Sequence, residues 1–173
     1  MSILPINFIP DPVLKQLAQP VENITPELVK QAEDMIETMY HAHGIGLAAN
    51  QIGALNRVFV IDVEQREEAA TRNPHVLINP EIIWKSEEFS VMEEGCLSIP
   101  GQYGEVERPR EVRVRFVDLK GQVQEMACEG LASHCVQHEL DHLNGVLFID
   151  YLSSLKRNMI VRKIKKLRST GAL

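Results

Sequence analysis

His138-Glu139-Leu140-Asp141-His142 places two imidazoles four positions apart, with a carboxylate beside the first. Four residues of α-helix turn through about 400° and rise about 6 Å, so both rings leave one face and can converge on a single ion. A divalent metal lowers the pKa of its bound water from ~16 to roughly 7, and an adjacent carboxylate can take the proton and later hand it to a leaving amine. The chemistry indicated is metal-assisted hydrolysis, with Glu139 as proton carrier and Asp141 without an assigned job. A solvated helix face is the competing reading of the same stretch.

A catalytic metal site commonly takes three protein ligands and keeps a fourth position for water. His134 and Cys135 lie upstream on the same helix, but from residue 134 to residue 142 a helix rises about 12 Å, whereas metal bonds are only about 2.0–2.3 Å long. A straight helix cannot aim three such residues at one point, so the third ligand is expected from elsewhere. Cys96 is the better candidate: Glu94-Gly95-Cys96-Leu97-Ser98-Ile99-Pro100 sets a thiol between a permissive glycine and a stiffening proline. A thiolate with two imidazoles suits zinc or ferrous iron. The alternative for Cys96 is a small buried hydrophobe, which is also the reading of Cys128 and Cys135. Gly44-Ile45-Gly46-Leu47-Ala48-Ala49-Asn50-Gln51 could let a ligand's backbone come close. Taken alone it is a tight connection, and Gln51 a surface amide.

The elements that position these residues can be outlined from pattern. Thr25-Pro26-Glu27 opens a helix over residues 26–42, with Leu28, Ala32, Met35 and Met39 at helical spacing. The β-branched run at 57–63 and the similar stretch at 76–84 predict buried strands. Val112, Val114 and Phe116 alternate with Arg113 and Arg115, and residues 122–128 pair with them across Lys120-Gly121 as a hairpin. A second helix over 130–143 carries the histidines into the core and closes at Asn144-Gly145. A basic amphipathic helix at about 153–168 ends the pattern, with Leu155, Met159, Ile160, Ile164 and Leu167 as its apolar stripe. The fold class is α+β: mixed or antiparallel strands packed around a central metal-binding helix, with N-terminal and C-terminal helices.

At 173 residues, 45% hydrophobic and 24% charged, the chain is expected to form one domain across residues 1–173. No apolar run approaches the ~18 residues of a membrane span and the first residues lack a signal-peptide pattern, so a cytoplasmic address is expected. Three scattered cysteines argue for reduced thiols or a thiolate ligand. The net charge of −6 conceals a basic end: Lys156, Arg157, Arg162, Lys163, Lys165, Lys166 and Arg168 follow the last acidic residue, Asp150. The charged stretch at residues 64–72 reads as a surface loop.

Three segments in order, Gly44 to Gln51, Glu94 to Pro100 and His138 to Gly145, resemble the signature motifs of the peptide deformylase family. The similarity spans nearly the whole chain and is closest to the bacterial form with a C-terminal helix. It implies removal of the N-formyl group from the initiator methionine of nascent chains, releasing formate. It further implies Cys96, His138 and His142 as metal ligands, Glu139 as proton relay, and the Gln51 amide with the Leu97 N–H as oxyanion donors. One divalent ion is expected, Fe2+ in the cell, with Zn2+, Ni2+ or Co2+ able to take its place. Glu94 and Arg108 match a pair that supports the metal segment; two unrelated surface charges are the alternative. The substrate backbone is expected to lie strand-like near Gly44, Gly46 and Gly95. Ile45, Met92, Leu131, His134 and Cys135 align with the methionine pocket, although His134 stands where an apolar residue is expected and reads as a rim or helix-face residue. The partners implied are N-formylmethionyl nascent peptides, with neither DNA nor membrane. The basic helix is either a solvated face or a ribosome-docking surface. Two rivals stay open on the residues alone: a general zinc endopeptidase and a metal-stabilised peptide-binding module.

Overall fold

The computed structural model describes residues 1–64 and 71–173; the middle of the stretch expected as a charged loop, residues 65–70, lies outside the described residues. Thr25 starts α1 (Pro26–His41) by accepting the Leu28 N–H on its hydroxyl at 3.2 Å, and Pro26 occupies the first helical position. The helix buries Leu28, Ala32, Met35 and Met39.

A five-stranded antiparallel sheet holds β1 (Gly46–Ala48), β2 (Val58–Ile61), β3 (His75–Lys85), β6 (Glu111–Val117) and β7 (Val123–Glu129) in the order β1-β2-β3-β6-β7. β4 (Phe89–Cys96) and β5 (Ile99–Pro109) form a separate antiparallel pair. α2 (Leu131–Leu143) packs against β1, β2, β5 and β7, and α3 (Ser154–Ser169) lies against β5. This is the expected α+β class, with helices near both ends of the chain.

Three details differ from the pattern. The strand expected at 57–63 is shorter, because Asp62 leaves the ladder and its carboxylate accepts the backbone N–H groups of Glu64 and Asn73 at 3.1 and 3.0 Å. Cys96 ends a strand, in a stretch where the pattern outlines no element. The stripe on α3 is divided: Ile160 and Ile164 are buried beside Ile9, Leu14 and Phe148, whereas Leu155 and Met159 are 73% and 60% exposed. At 100° per residue these two pairs point about 140° apart, so one docked face cannot cover both.

The segment before α1 crosses under the site. Asn7 donates its N–H to the Gln51 carbonyl at 2.7 Å and Ile9 donates to the Ser98 carbonyl at 3.1 Å. Arg168, in the last turn of α3, donates to the Phe8 and Ile9 carbonyls at 3.1 and 3.0 Å. Residues 7–9 thus form a strap between two of the site segments. No helix among the described residues is long and apolar enough to cross a membrane.

Candidate active site

The short 3-10 turn Ala49–Ile52 follows β1 and brings Gln51 inside, at 1% exposure. Its carbonyl Oε1 accepts the Ala48 N–H at 3.0 Å, which commits the amide nitrogen to the other side. That Nε2 donates to Ser98 Oγ at 3.1 Å and approaches Cys96 Sγ at 3.4 Å. Gln51 is therefore no surface amide. Cys96 Sγ lies 3.3 Å from His142 Nε2, and one ligand atom from each of Cys96, His138 and His142 falls within 4.8 Å of the others.

The donor set fits a divalent ion. Nδ1 of His138 lies 2.9 Å from Glu94 Oε1; an ionised carboxylate only accepts, so this nitrogen carries the proton and Nε2 keeps a lone pair for metal. Two buried polar atoms at the same place, Glu139 Oε1 and His142 Nδ1, have no protein partner among the described residues. Burial pushes the Glu139 carboxyl up to about 7. Burial also pulls the His142 imidazole well below its usual value, and the neighbouring charges of His138 and Arg108 add to that. A neutral imidazole is the form that binds metal.

Glu94 is the hub beneath these ligands. Arg108 Nε and Nη2 donate to its two oxygens at 2.7 and 2.9 Å in a buried fork, and Arg108 Nη1 donates to Asp141 at 2.8 Å. The Tyr151 hydroxyl donates to the same Asp141 oxygen at 2.7 Å. Burial opposes ionisation of Glu94, but the Arg108 and His138 hydrogen bonds outweigh it and hold the carboxyl near 2. The alternative of two unrelated surface charges is excluded: Glu94 is 7% exposed and Arg108 3%. His134 is likewise not a rim residue, because it is 2% exposed with Nδ1 3.0 Å from Glu94 Oε2 and Nε2 2.9 Å from Ser90 Oγ.

A cleft of about 490 Å³ opens onto the site and is lined by Gly44, Ile45, Gly46, Gln51, Gly95, Cys96, Leu97, Leu131, His134, Cys135, His138 and Glu139. His142 lies behind this lining, 1% exposed. Met92 is not brought to the cleft; it is half-buried on β4, paired with Val106 of β5, on the strand face shared by Ser90 and Glu94. Burial raises the Cys135 thiol well above its usual value, so it stays a thiol in the wall.

Two glycines allow close approaches that sequence assigned to ligand access. A Cβ at Gly44 would lie 2.7 Å from Leu97 Cδ1, and a Cβ at Gly46 would lie 2.5 Å from Glu139 Oε2. Gly46→Ala is therefore expected to displace the Glu139 carboxylate and, with Glu139 as the proton carrier expected from the sequence, to lower hydrolytic turnover by about 10-fold or more, since general acid–base catalysis contributes ~10²–10⁴-fold. Ser98 and Ser90 were not singled out in the sequence, since neither hydroxyl carries a spacing signal. Asp141 gains its role only from Arg108 and Tyr151, partners that are distant in the chain or outside the motif.

Comparison with known proteins agrees with this geometry. Residues 3–158 match the family described as polypeptide deformylase. The peptide deformylase of Mesorhizobium japonicum is 57% identical over 172 residues, covering 99% of this chain and 97% of that protein. That of Rhizobium meliloti is 53% identical, covering 98% and 97%. A crystal structure of peptide deformylase from Ehrlichia chaffeensis superposes with a TM-score of 0.93 at 36% identity, covering 99% of this chain and 100% of that one. One from Synechococcus elongatus in complex with actinonin gives 0.87 at 43% identity, covering 95% and 89%. With the family matched over nearly the whole length and its metal-binding Cys/His group assembled beside a buried glutamate, the chain belongs to the polypeptide deformylase family.

Proposed function

We propose a division of labour for the family's reaction, removal of the N-formyl group from the N-terminal formylmethionine of new proteins. Residues 1–173 act as one catalytic domain. Cys96, His138 and His142 hold a single divalent ion, Fe2+ in the cell, with Zn2+, Ni2+ or Co2+ as replacements. When bound, that ion supplies Lewis acidity and a water acidified toward neutral pH. Glu139 accepts the water proton as oxygen adds to the formyl carbon. The same carboxyl returns it to the departing nitrogen, so the C–N bond breaks to formate and a free amine. Gln51 Nε2 and the Leu97 N–H receive the negative charge on the formyl oxygen.

The supporting observation is the convergence of one thiol and two imidazoles within 4.8 Å, beside Gln51 and a Glu139 oxygen that no protein group among the described residues uses. The methionine side chain enters between Ile45, Leu131, His134 and Cys135, and the peptide backbone runs along Gly44, Gly46 and Gly95. The compartment is the cytoplasm, where formylated nascent chains emerge. Anaerobically loaded protein is expected to release formate stoichiometrically from formyl-Met-Ala-Ser. Cleavage of internal peptide bonds without formate would mark an endopeptidase instead.

We also propose ribosome docking through α3. Its exposed face carries Leu155, Met159, Arg162 and Lys166 at helical spacing, unpaired with acids among the described residues. Truncating the helix would uncover buried Ile160 and Ile164, so charge reversal is the cleaner probe. Lys156→Glu, Lys163→Glu and Lys166→Glu together should abolish co-sedimentation with ribosomes while formate release from a free tripeptide stays within twofold; retained co-sedimentation would leave α3 a solvated face.

A further inference from the structure

We infer that His134 is a positioning residue of the metal centre, which acts through Glu94 to orient His138. The inference rests on the metal site proposed above and extends it to a residue behind the ligands.

Glu94 receives four hydrogen bonds. Its Oε1 accepts from Arg108 Nη2 and His138 Nδ1, both at 2.9 Å, and its Oε2 accepts from Arg108 Nε at 2.7 Å and His134 Nδ1 at 3.0 Å. These donors fill the lone-pair directions of one carboxylate. The Arg108 fork alone lets the carboxylate rock about the axis of the fork. His134 and His138 stand one helical turn apart on α2 and grip one oxygen each, which stops that motion. The angle at which Glu94 meets His138 is thus set from α2 itself.

Ser90 completes the arrangement. Its hydroxyl lies 2.9 Å from His134 Nε2, so with Nδ1 donating to Glu94 the neutral ring accepts from Ser90. The result is a hydrogen-bonded series Ser90–His134–Glu94–His138 running from the start of β4 to a metal ligand. Both nitrogens of His134 are then engaged, and only ring carbon remains for the cleft that it lines. This explains how a histidine stands in an otherwise apolar wall. It also separates two roles: a wall residue affects how tightly substrate binds, whereas a positioning residue affects how the metal is held. Ser90 lines no part of the cleft, so it can report the second role alone.

The test uses protein loaded with Co2+ and mixed with excess chelator, following the visible spectrum. Removing partners that orient a metal-binding histidine typically costs ~10–100-fold in affinity or activity. His134→Leu should release Co2+ about 10-fold faster, with altered visible bands, and should lower kcat for formyl-Met-Ala-Ser, whereas Ser90→Ala, outside the cleft lining, should leave KM within about twofold. Ser90→Ala should change release in the same direction by a smaller factor, and the double variant should release no faster than His134→Leu. His134→Gln, which keeps a donor toward Glu94, should recover part of the loss. Release at the parent rate from folded His134→Leu or from Ser90→Ala would overturn the inference, as would a rise in KM with unchanged release. If His134→Leu does not fold, the Ser90→Ala rate decides. A parent protein that takes up no Co2+ would overturn the metal site itself, a result separable from every variant comparison.

Discussion

Replacing Glu139 by Gln is expected to lower formate release by about 10³-fold with the metal still bound, the middle of the range for loss of a general acid–base. The size of the effect follows from the position of the carboxylate. It is 4% exposed on α2 between the two histidines, its Oε1 has no protein partner among the described residues, and burial raises its pKa to about 7, where one group can both take and return a proton. Gln is nearly isosteric and leaves Cys96, His138 and His142 untouched, so metal content by elemental analysis should match the parent. A peptide-binding module in which Glu139 is only a helix residue predicts instead that Glu139→Gln binds metal and retains every cellular role; formate release at the parent rate would likewise remove Glu139 from the mechanism.

The second large effect concerns stability. Arg108→Met leaves the buried Glu94 carboxylate without its fork and removes the cation beside Asp141. Breaking a buried pair by taking one partner costs about 3–5 kcal/mol, because the remaining charge stays desolvated. Urea unfolding of metal-free protein should show that loss. Acid dependence gives an internal check. The Glu94 carboxyl titrates at about 2 in the folded protein against an ordinary value of 4.5, so its contribution is fully present above pH 4.5 and is lost as pH falls toward 2. The parent should therefore lose stability through that window, whereas Arg108→Met should show a flatter dependence. An equally steep acid loss in the variant would mean that the fork does not hold Glu94 ionised.

Much of the scaffold could be read along the chain. α1 was legible because a cap, a proline and a 3.6-residue apolar period agree, and the β6–β7 hairpin because alternation and a Lys-Gly turn agree. The β4–β5 pair was not, since its residues mix exposed Val91 and Phe89 with half-buried Met92, and its partner assignment depends on pairings up to Phe89 with Pro109. β1 spans only Gly46–Ala48, too short for a period to register. The candidate metal group was within reach because helical geometry ruled out a third ligand from the same helix, which turned attention to Cys96. The outer partners were not: His134 and Ser90 meet only because β4 lies across α2, and no local pattern encodes that crossing. The division of the α3 stripe was hidden for a simpler reason, that Leu155, Met159 and Ile160 are close in sequence but not on one face.

The strap formed by residues 7–9 bears on how the protein itself is made. It holds the carbonyls of Gln51 and Ser98, and its own carbonyls are held by Arg168, 160 and 159 positions further along the chain. During synthesis the strap leaves the ribosome well before its fastener, which follows about 160 residues later. Contacts of such long separation close late, after the loops between them have lost their freedom. The strap beneath the site is therefore fastened only once Arg168 has emerged and α3 has docked, so the site gains this support after all of its own segments have been made.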